Sequence, residues 1–228
     1  MPKSPISPFD FLAHVPELSS LPRPELNYLV SKSALIEIKP KQILFSQGEP
    51  SQYFYVVIEG RVSMGDCGSS GRETVSCIAG RRDIFCCLPA LDHKPYPATA
   101  VSATDAKALR IPIAVLQEIG SRNPSVYQMF VAKVCANLRV IEQRHSQRME
   151  PAVTRISSLL IDQYEKTPHP IRLTRAEIAK LTGTTVETAI RTLSQLGKRG
   201  ILQSRRGLIK VVEAKKLYEL AGRMAPEA

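Results

Sequence analysis

The 228-residue sequence predicts an α+β protein in which an antiparallel β-roll, one long helix and a winged helix-turn-helix follow one another. Three observations predict this order. Short β-branched and aromatic runs alternate with turn residues between residues 33 and 113, an apolar seam at helical spacing follows, and two Thr-x-x-Glu helix starts flank a glycine near the C-terminus. We divide the chain into an N-terminal segment 1–20, a β-roll domain 21–121, a long helix 122–148 and a C-terminal domain 149–228.

The segment from residue 33 to 113 predicts the β-roll. Its strand-like runs are LIEI, ILF, YFYVVI, RVSM, ETVSCI, ATAVSA and KALRI, and Gly48, Gly60, GDCGSSG and DHKPYP separate them. Short strands at regular spacing are typical of an antiparallel jelly roll. The N-terminal segment before them has four prolines in its first 16 residues, so we expect it to be extended.

A long helix is predicted after Pro112. Six residues at alternating spacings of four and three form one seam along it: Tyr127, Val131, Val134, Leu138, Ile141 and His145. The seam packs either on the β-roll of its own chain or on the same helix of a second copy. We favour a homodimer, because flanking polar residues leave the seam as narrow as in a two-stranded coiled coil. Residues 147–151 then predict a hinge, after which Pro151 begins an amphipathic helix.

The segment LTRAEIAKLTGTTVETAIRTLSQLGKRGIL predicts a helix-turn-helix. Thr174 with Glu177 matches a capping box, Gly183 ends that helix, and Thr184 with Glu187 matches a second box. The downstream ILQSRRGLIKVV predicts a β-hairpin that turns at residues 205–207 and forms a wing. The inner face of the second helix is predicted to consist of Val186, Ala189, Ile190 and Leu193.

The charge distribution indicates that this segment binds nucleic acid. The formal net charge is +10, and residues 166–216 contain 12 basic and 3 acidic residues. Such a surplus binds polyanions by releasing condensed counterions. Glu187 and Arg191 lie four residues apart on one helical face, where a carboxylate can accept from cytosine and a guanidinium can donate twice to guanine. A simple surface salt bridge is the alternative.

Other polar residues of the motif are placed to contact phosphates, which fix the register on DNA without reading sequence. They are Thr174, Arg175, Thr185, Thr188, Lys198 and Arg199.

The remaining composition favours a cytoplasmic protein without a membrane partner. No apolar run approaches the roughly 20 residues that span a bilayer, and the first residues lack the apolar block of a secretory signal. The cysteines are odd in number and unevenly spaced, which argues against a disulfide framework. They are Cys67, Cys77, Cys86, Cys87 and Cys135.

Together these residues resemble the Crp/Fnr family of bacterial transcription regulators. The resemblance covers nearly the whole chain and rests on PKQILFSQGEPSQYFYVVIEGRV, on DIF followed by KPYPATAVSATDAKALRIP, on the long helix and on LTRAEIAKLTGTTVETAIRTL. It implies a cyclic-nucleotide-binding-type β-roll, a dimerisation helix and a winged helix-turn-helix. It also implies binding to an inverted repeat in double-stranded DNA and cooperation with RNA polymerase.

The motif is more similar to the Fnr side of the family, because Val186 stands where the cyclic-AMP receptor has an arginine. The resemblance therefore implies a TGA-containing half-site and base contacts from Val186, Glu187 and Arg191. Ile190 departs from the serine usual in Fnr, which leaves the outer bases of the half-site open.

The effector pocket departs from the family pattern. Cyclic-nucleotide binders have Gly-Glu and Arg-Ser where this chain has Cys86, Cys87, Tyr96 and Pro97. We do not expect cyclic AMP, because its buried phosphate would lack a guanidinium and a hydroxyl. The N-terminal cysteine cluster that holds the iron-sulfur centre of Fnr proteins is also missing.

Two interpretations of the adjacent cysteines stay open. Cys86 falls where the CO sensors of the family supply a thiolate to haem, yet the histidine expected two residues later is Leu88. Cys86 and Cys87 therefore mark either a haem, metal or redox switch, or two small buried apolar residues.

The sequence thus predicts a DNA-binding regulator gated by an effector in the β-roll, which is haem, a gas, a redox signal or a small molecule rather than cyclic AMP. A constitutive regulator with a degenerate pocket is the alternative. A jelly-roll metal enzyme is a remote one, because the four histidines fall in four different segments and no catalytic constellation accompanies them.

Overall fold

The computed structural model describes residues 7–67, 73–166, 170–205 and 207–225. The chain forms two compact units, Met1–Arg139 and Val140–Ala228.

The first unit is built on two four-stranded antiparallel sheets. One has the strand order β1-β8-β3-β6 and the other β2-β7-β4-β5, and both confirm the predicted β-roll. The short β6 was not among the strand-like runs of the sequence, and it lies at a sheet edge. The strands are β1 Ala34–Ile38, β2 Ile43–Phe45, β3 Tyr53–Glu59, β4 Val62–Cys67, β5 Glu73–Ala79, β6 Ile84–Phe85, β7 Thr99–Ser102 and β8 Ala106–Pro112.

Helices of the first unit cover the outer face of the β1-β8-β3-β6 sheet. Phe54 of β3 meets Phe130 edge to face, with ring centroids 6.0 Å apart, inside a large apolar cluster. The helices are α1 Pro8–Ala13, α2 Arg23–Lys32, α3 Pro89–Asp92, α4 Ile113–Arg122 and α5 Ser125–Ser146, of which α5 continues into the second unit.

The N-terminal segment is not extended throughout, contrary to our expectation. Pro8 occupies the first turn of α1, where a proline needs no hydrogen-bond partner for its nitrogen. Phe11, Leu12, Val15 and Leu18 are buried in the apolar cluster. Burial of these side chains outweighs the helix-breaking tendency of the flanking prolines.

The long helix begins later than predicted. The expected 122–148 helix is interrupted at Asn123, whose N–H still bonds to the end of α4, and α5 starts at Ser125 after Pro124. A proline disfavours helical backbone at the residue before it, which explains the break. A 3-10 turn Gln147–Met149 follows, and Pro151 accepts the first hydrogen bond of the next helix instead of lying inside it.

The second unit is a helix bundle with a two-stranded wing. Its elements are α6 Ala152–Lys166, α7 Arg175–Thr182, α8 Val186–Lys198, β9 Leu202–Arg205, β10 Leu208–Val211 and α9 Ala214–Leu220. Ile171 forms paired backbone hydrogen bonds with Ile209, so the wing is tied to the segment before α7. The Tyr218 hydroxyl of α9 donates a hydrogen bond to the Glu165 carboxylate of α6. The Arg223 guanidinium, just after α9, donates to the Asp162 carboxylate of α6.

Candidate nucleic-acid interface

The start of α7 confirms the first predicted capping box. The Thr174 hydroxyl accepts from the Glu177 N–H at 3.2 Å, and the Glu177 carboxylate accepts from the Thr174 N–H at 2.7 Å. Two backbone donors that a helix start leaves open are thereby satisfied.

The turn between α7 and α8 corrects the second capping box. Gly183 ends α7 with φ 60°, a conformation that glycine adopts without strain, and the Thr184 N–H returns to the Ala179 carbonyl. Thr184 therefore belongs to the turn. The helix cap is Thr185, whose hydroxyl accepts from the Thr188 N–H at 3.2 Å, and Glu187 lies one position too early to complete a box.

The outward face of α8 differs from the predicted one. Val186 and Ile190 are 39% and 51% exposed, although we expected both in the inner face. Thr192 is buried in their place, and the other buried residues are Ala189, Leu193 and Leu196. The α8 face open to solvent consequently carries Val186, Glu187, Ile190 and Arg191.

The charges on this face are available for other partners. The Glu187 N–H and the Thr185 hydroxyl hold the pKa of the exposed Glu187 carboxyl below its ordinary value, so it is an acceptor at neutral pH. Among the described residues, Glu187 and Arg191 do not form a salt bridge. A mutual i,i+4 ion pair therefore does not account for their spacing.

Arg175 has a role that the sequence did not reveal. Its guanidinium donates to the Arg205 carbonyl at 2.9 Å and to the Ser204 hydroxyl at 2.8 Å, which ties α7 to the wing. Arg155 of α6 similarly reaches the Gly183 carbonyl at 3.5 Å. Both contacts join residues far apart in sequence, so no local pattern could indicate them.

Exposed basic side chains surround α8 and the wing. Lys198 and Arg199 lie at the C-terminal end of α8. The turn that we predicted at residues 205–207 begins at Arg205, the last residue of β9, and Gly207 directly precedes β10, while Arg206 is outside the described residues. The further exposed cations are Arg172, Lys180, Arg205 and Lys210.

The interior of the β-roll is closed by stacked aromatic rings. Tyr96 lies 3.9 Å from Phe45 between ring centroids, and Tyr55 lies 5.1 Å from Phe85. The Tyr96 hydroxyl donates to the Tyr53 carbonyl at 2.8 Å and accepts from the Tyr53 N–H at 3.1 Å. Tyr96 thus fills space within the aromatic cluster of the β-roll.

The two adjacent cysteines do not share one site. Cys86 packs against the aromatic cluster, whereas Cys87 is buried in the apolar cluster beneath the helices. Burial raises the pKa of the Cys86 thiol, and it raises that of Cys87 to about 11. The structure does not group both cysteines with Tyr96 and Pro97 in one pocket as predicted, because Cys86 and Tyr96 belong to the aromatic cluster and Cys87 belongs to the apolar cluster.

An open cavity of about 360 Å³ lies elsewhere on the first unit. None of the four predicted effector residues lines it. Its lining consists of Ser51, Gln52, Pro89, His93, Ile113, Ala114 and Gln117.

The predicted seam of α5 divides between two environments. Tyr127 bonds to the Gln117 carbonyl and Val134 packs on the apolar cluster, so both contact their own unit while staying partly exposed. Val131, Leu138 and Ile141 are about half exposed, at 48%, 52% and 51%. The side chain of His145 lies outside the described residues. Val126 and Phe130, which we had not assigned to the seam, supply the inner face of this helix.

Within the described ranges, no group of three or more His, Cys, Asp or Glu side chains is arranged to hold a metal ion. A search of the same ranges finds no helix that combines the length and apolarity needed to cross a bilayer.

Two family models match the chain. A cyclic nucleotide-binding domain model matches residues 35–123, and a Crp-like helix-turn-helix domain model matches residues 154–220. The chain belongs to the Crp/Fnr family. This Crp/Fnr protein has a cyclic-nucleotide-binding-like domain and a DNA-binding helix-turn-helix, and its class of function is transcription regulation.

Curated relatives of this Crp/Fnr protein are similar over most of their length. The cyclic AMP receptor protein of Thermus thermophilus is 27% identical over 180 residues, which cover 78% of this chain and 83% of that protein. The CRP-like cAMP-activated global transcriptional regulator of Mycobacterium tuberculosis is 23% identical over 189 residues, covering 78% and 84%.

A solved structure supports the fold. FixK2 from Bradyrhizobium japonicum matches with a TM-score of 0.75 at 22% identity, over 86% of this chain and 99% of that chain. The β-roll, the long helix and the winged helix-turn-helix are thus the architecture of known Crp/Fnr proteins.

Proposed function

We propose that the protein is a homodimeric transcription regulator that binds an inverted repeat of double-stranded DNA through the exposed face of α8. The observation that carries this proposal is that Glu187 and Arg191 point to solvent on one face of a capped helix without pairing with each other. In a helix-turn-helix, the second helix enters the major groove and its N-terminal residues contact base edges.

The exposed side chains of the first two turns of α8 suit the edges of a TGA-containing half-site. Arg191 donates to O6 and N7 of a guanine, and the ionised Glu187 accepts from the N4 amino group of a cytosine. Val186 and Ile190 offer apolar surface to thymine methyl groups.

Phosphate contacts fix the position of α8. Lys198 and Arg199 are exposed at its C-terminal end, and the hydroxyls of Thr185 and Thr188 lie at its start. Thr174 lies at the start of α7, next to Arg175. Arg175 acts chiefly by holding the wing, because two arms of its guanidinium are already engaged with β9.

The exposed residues of α5 form the dimer interface. Val131, Leu138 and Ile141 leave apolar surface uncovered along this helix, and a second copy related by a twofold axis would bury it. A dimer presents two copies of α8 to the two halves of an inverted repeat.

DNA affinity is gated by an effector in the first unit, and α5 carries the signal because it runs from the first unit into the second. The effector acts through its difference in affinity for two states of the protein. Cyclic AMP is not this effector, because the Tyr96 ring stacks on Phe45 where a phosphate ligand would be needed. The protein catalyses no reaction and works in the cytoplasm together with RNA polymerase.

Selection of duplexes from a random library tests the proposal. The full-length protein is expected to enrich an inverted repeat with TGA in each half, and Arg191→Ala to enrich the same repeat with one position relaxed. Recovery of sequences without an inverted repeat, under both oxidising and reducing conditions, would contradict it. Equal affinity under all conditions would instead favour the constitutive regulator.

A further inference from the structure

We propose that Met64, Cys77 and Cys86 bind one Cu(I) ion at the margin of the β-roll. If the protein is the regulator proposed above, this ion is its effector, and that regulatory part of the inference rests on the proposed function. The binding site itself is argued from the sulfur atoms alone.

The three sulfur-bearing side chains are brought together by β4, β5 and the residue after β6. The Cys86 Sγ lies 3.9 Å from the Met64 Sδ. Cys77 is the direct partner of Met64 across the β4–β5 pair, and opposite residues of antiparallel strands share one face. All three sulfurs therefore converge on one small region.

The backbone at Cys86 is held in an unusual conformation. Its φ is 60°, which lies in the left-handed region that residues other than glycine rarely adopt. Strained residues of this kind cluster where the surrounding structure fixes a functional side chain. Neighbouring hydrogen bonds supply that support, because Val57 donates to the Asp83 carbonyl and accepts from the Arg82 N–H just before β6.

The donor set selects the metal. Thiolates and thioethers are soft ligands that prefer Cu(I), whereas structural zinc takes four donors from Cys, His or carboxylates. Among the described residues, no group of three or more His, Cys, Asp or Glu side chains is arranged to supply such a set. A single ion also needs no haem-sized space, and Phe85 and Tyr55 already fill the neighbouring volume.

Binding requires no oxidant or reductant. The two thiols release their protons to water, two Cu–thiolate bonds and one Cu–thioether contact form, and the ion stays Cu(I).

The site is placed to influence α5. Cys86 follows β6 at the edge of one sheet, and β5 is the edge strand of the other. The next residue, Cys87, is buried in the apolar cluster that also contains Phe130 of α5. A shift of Cys86 on metal binding is thereby transmitted to the packing of α5.

An anaerobic Cu(I) titration of the full-length protein against a chromophoric Cu(I) chelator tests the site. The wild type is expected to bind one Cu(I) per chain, and X-ray absorption is expected to show sulfur ligands only. Cys77→Ser and Cys86→Ser should each weaken Cu(I) binding by more than about 100-fold. This is more than the loss expected when a residue that only orients a metal ligand is removed. Met64→Leu should weaken Cu(I) binding by about tenfold while keeping the apolar volume.

Cys135→Ser is the matched control, because Cys135 is an exposed thiol on α5. It should bind Cu(I) as the wild type does. The site is refuted if Cys86→Ser, shown to be folded by its circular dichroism, retains wild-type affinity. It is equally refuted if only Cys135→Ser loses the ion, or if a Cys77–Cys86 disulfide forms while Cu(I) does not bind.

The regulatory part has its own readout. Adding Cu(I) should change the affinity for the selected repeat by at least about fivefold in the wild type, within the usual range of allosteric coupling, and not in Cys86→Ser. Stoichiometric Cu(I) binding without any DNA binding would contradict the proposed function and support the metal site. Specific DNA binding without Cu(I) binding would support the proposed function and contradict the metal site.

Discussion

The two units of the chain use their polar and apolar groups in opposite ways. In the second unit, Glu187 and Arg191 point to solvent from a helix whose start is fixed by local caps. In the first unit, Tyr96 lies in an interior that aromatic rings fill, and the partly buried Cys86 packs against those rings.

This difference shows that a surface on a helix can be predicted from the local sequence pattern, whereas the interior of a β-roll cannot. The exposed face of α8 follows from helical periodicity and from the turn that precedes it. The interior of the β-roll depends on residues that meet across strands, such as Phe45 with Tyr96, and a homologous fold can fill it in different ways. The second unit is therefore the part of the molecule that local sequence constrains more strongly, and the interior of the first unit is the part that it constrains less.

The largest effect is expected from breaking the apolar face of α5. Leu138→Glu should yield monomers and lower the affinity for an inverted repeat by at least about 100-fold, because the two half-sites would no longer be bound by linked modules. Leu35→Glu is the matched control, since Leu35 is a similarly exposed leucine of β1. Analytical ultracentrifugation and fluorescence anisotropy measure both properties. A Leu138→Glu dimer would remove α5 from the interface.

The next effect separates two kinds of DNA contact within the second unit. Arg191→Ala should cost about 1–3 kcal/mol on the cognate half-site and relax one base pair, because it removes a bidentate contact to guanine. Lys198→Ala should weaken all sequences alike and reduce the salt slope by about one. Titrations at several salt concentrations distinguish them. Identical behaviour of the two variants would overturn the division between base and phosphate contacts.

A titration at alkaline pH probes the first unit. Burial raises the pKa of Cys87 to about 11 from an ordinary 9.0, so the unfolded chain loses this proton first and stability should fall between those two pH values. The loss attributable to Cys87 is about 2 kcal/mol. The free energy of unfolding of Cys87→Ala should therefore decline less steeply than that of the wild type.

Cys135→Ala, which removes an exposed thiol, is the control for this titration. Denaturant unfolding at pH 8 to 11.5 provides the measurement. Parallel curves for the wild type and Cys87→Ala would show that Cys87 is not desolvated in the folded protein.

The smallest effect tests the corrected helix cap. Thr185→Ala should destabilise the second unit by about 1 kcal/mol, because it removes the acceptor for the Thr188 N–H. Thr184→Ala should cost less, since among the described residues the Thr184 hydroxyl bonds to that of Thr182 and not to a backbone N–H of α8. Thermal unfolding followed by circular dichroism compares them, and the reverse order of stability would restore Thr184 as the cap.

Local signals predicted most of the fold but not which neighbouring residue carries each contact. The Thr174–Glu177 box was confirmed, whereas the Thr184–Glu187 spacing was misleading because Gly183 and Thr184 are both used to close the turn. A helical seam likewise cannot tell which residues face their own unit. Val134 packs inward and Leu138 does not, and this depends on the position of α5 against the β-roll.

The candidate site was predictable where it is exposed and unpredictable where it is formed by long-range contacts. Glu187 and Arg191 follow from spacing and motif alone. The bond from Arg175 to the wing and the approach of Cys86 to Met64 join residues about 30 and 22 positions apart, which no periodicity encodes.

The spacing of two half-sites tests the central claim most directly. Crp/Fnr-type dimers of a helix-turn-helix bind half-sites about one helical turn apart, so inserting about five base pairs turns the second half-site to the opposite face of the duplex. We predict that this insertion lowers the affinity to that of a duplex without half-sites. Unchanged affinity after the insertion would show that two copies of α8 do not bind the repeat together, and would contradict the account.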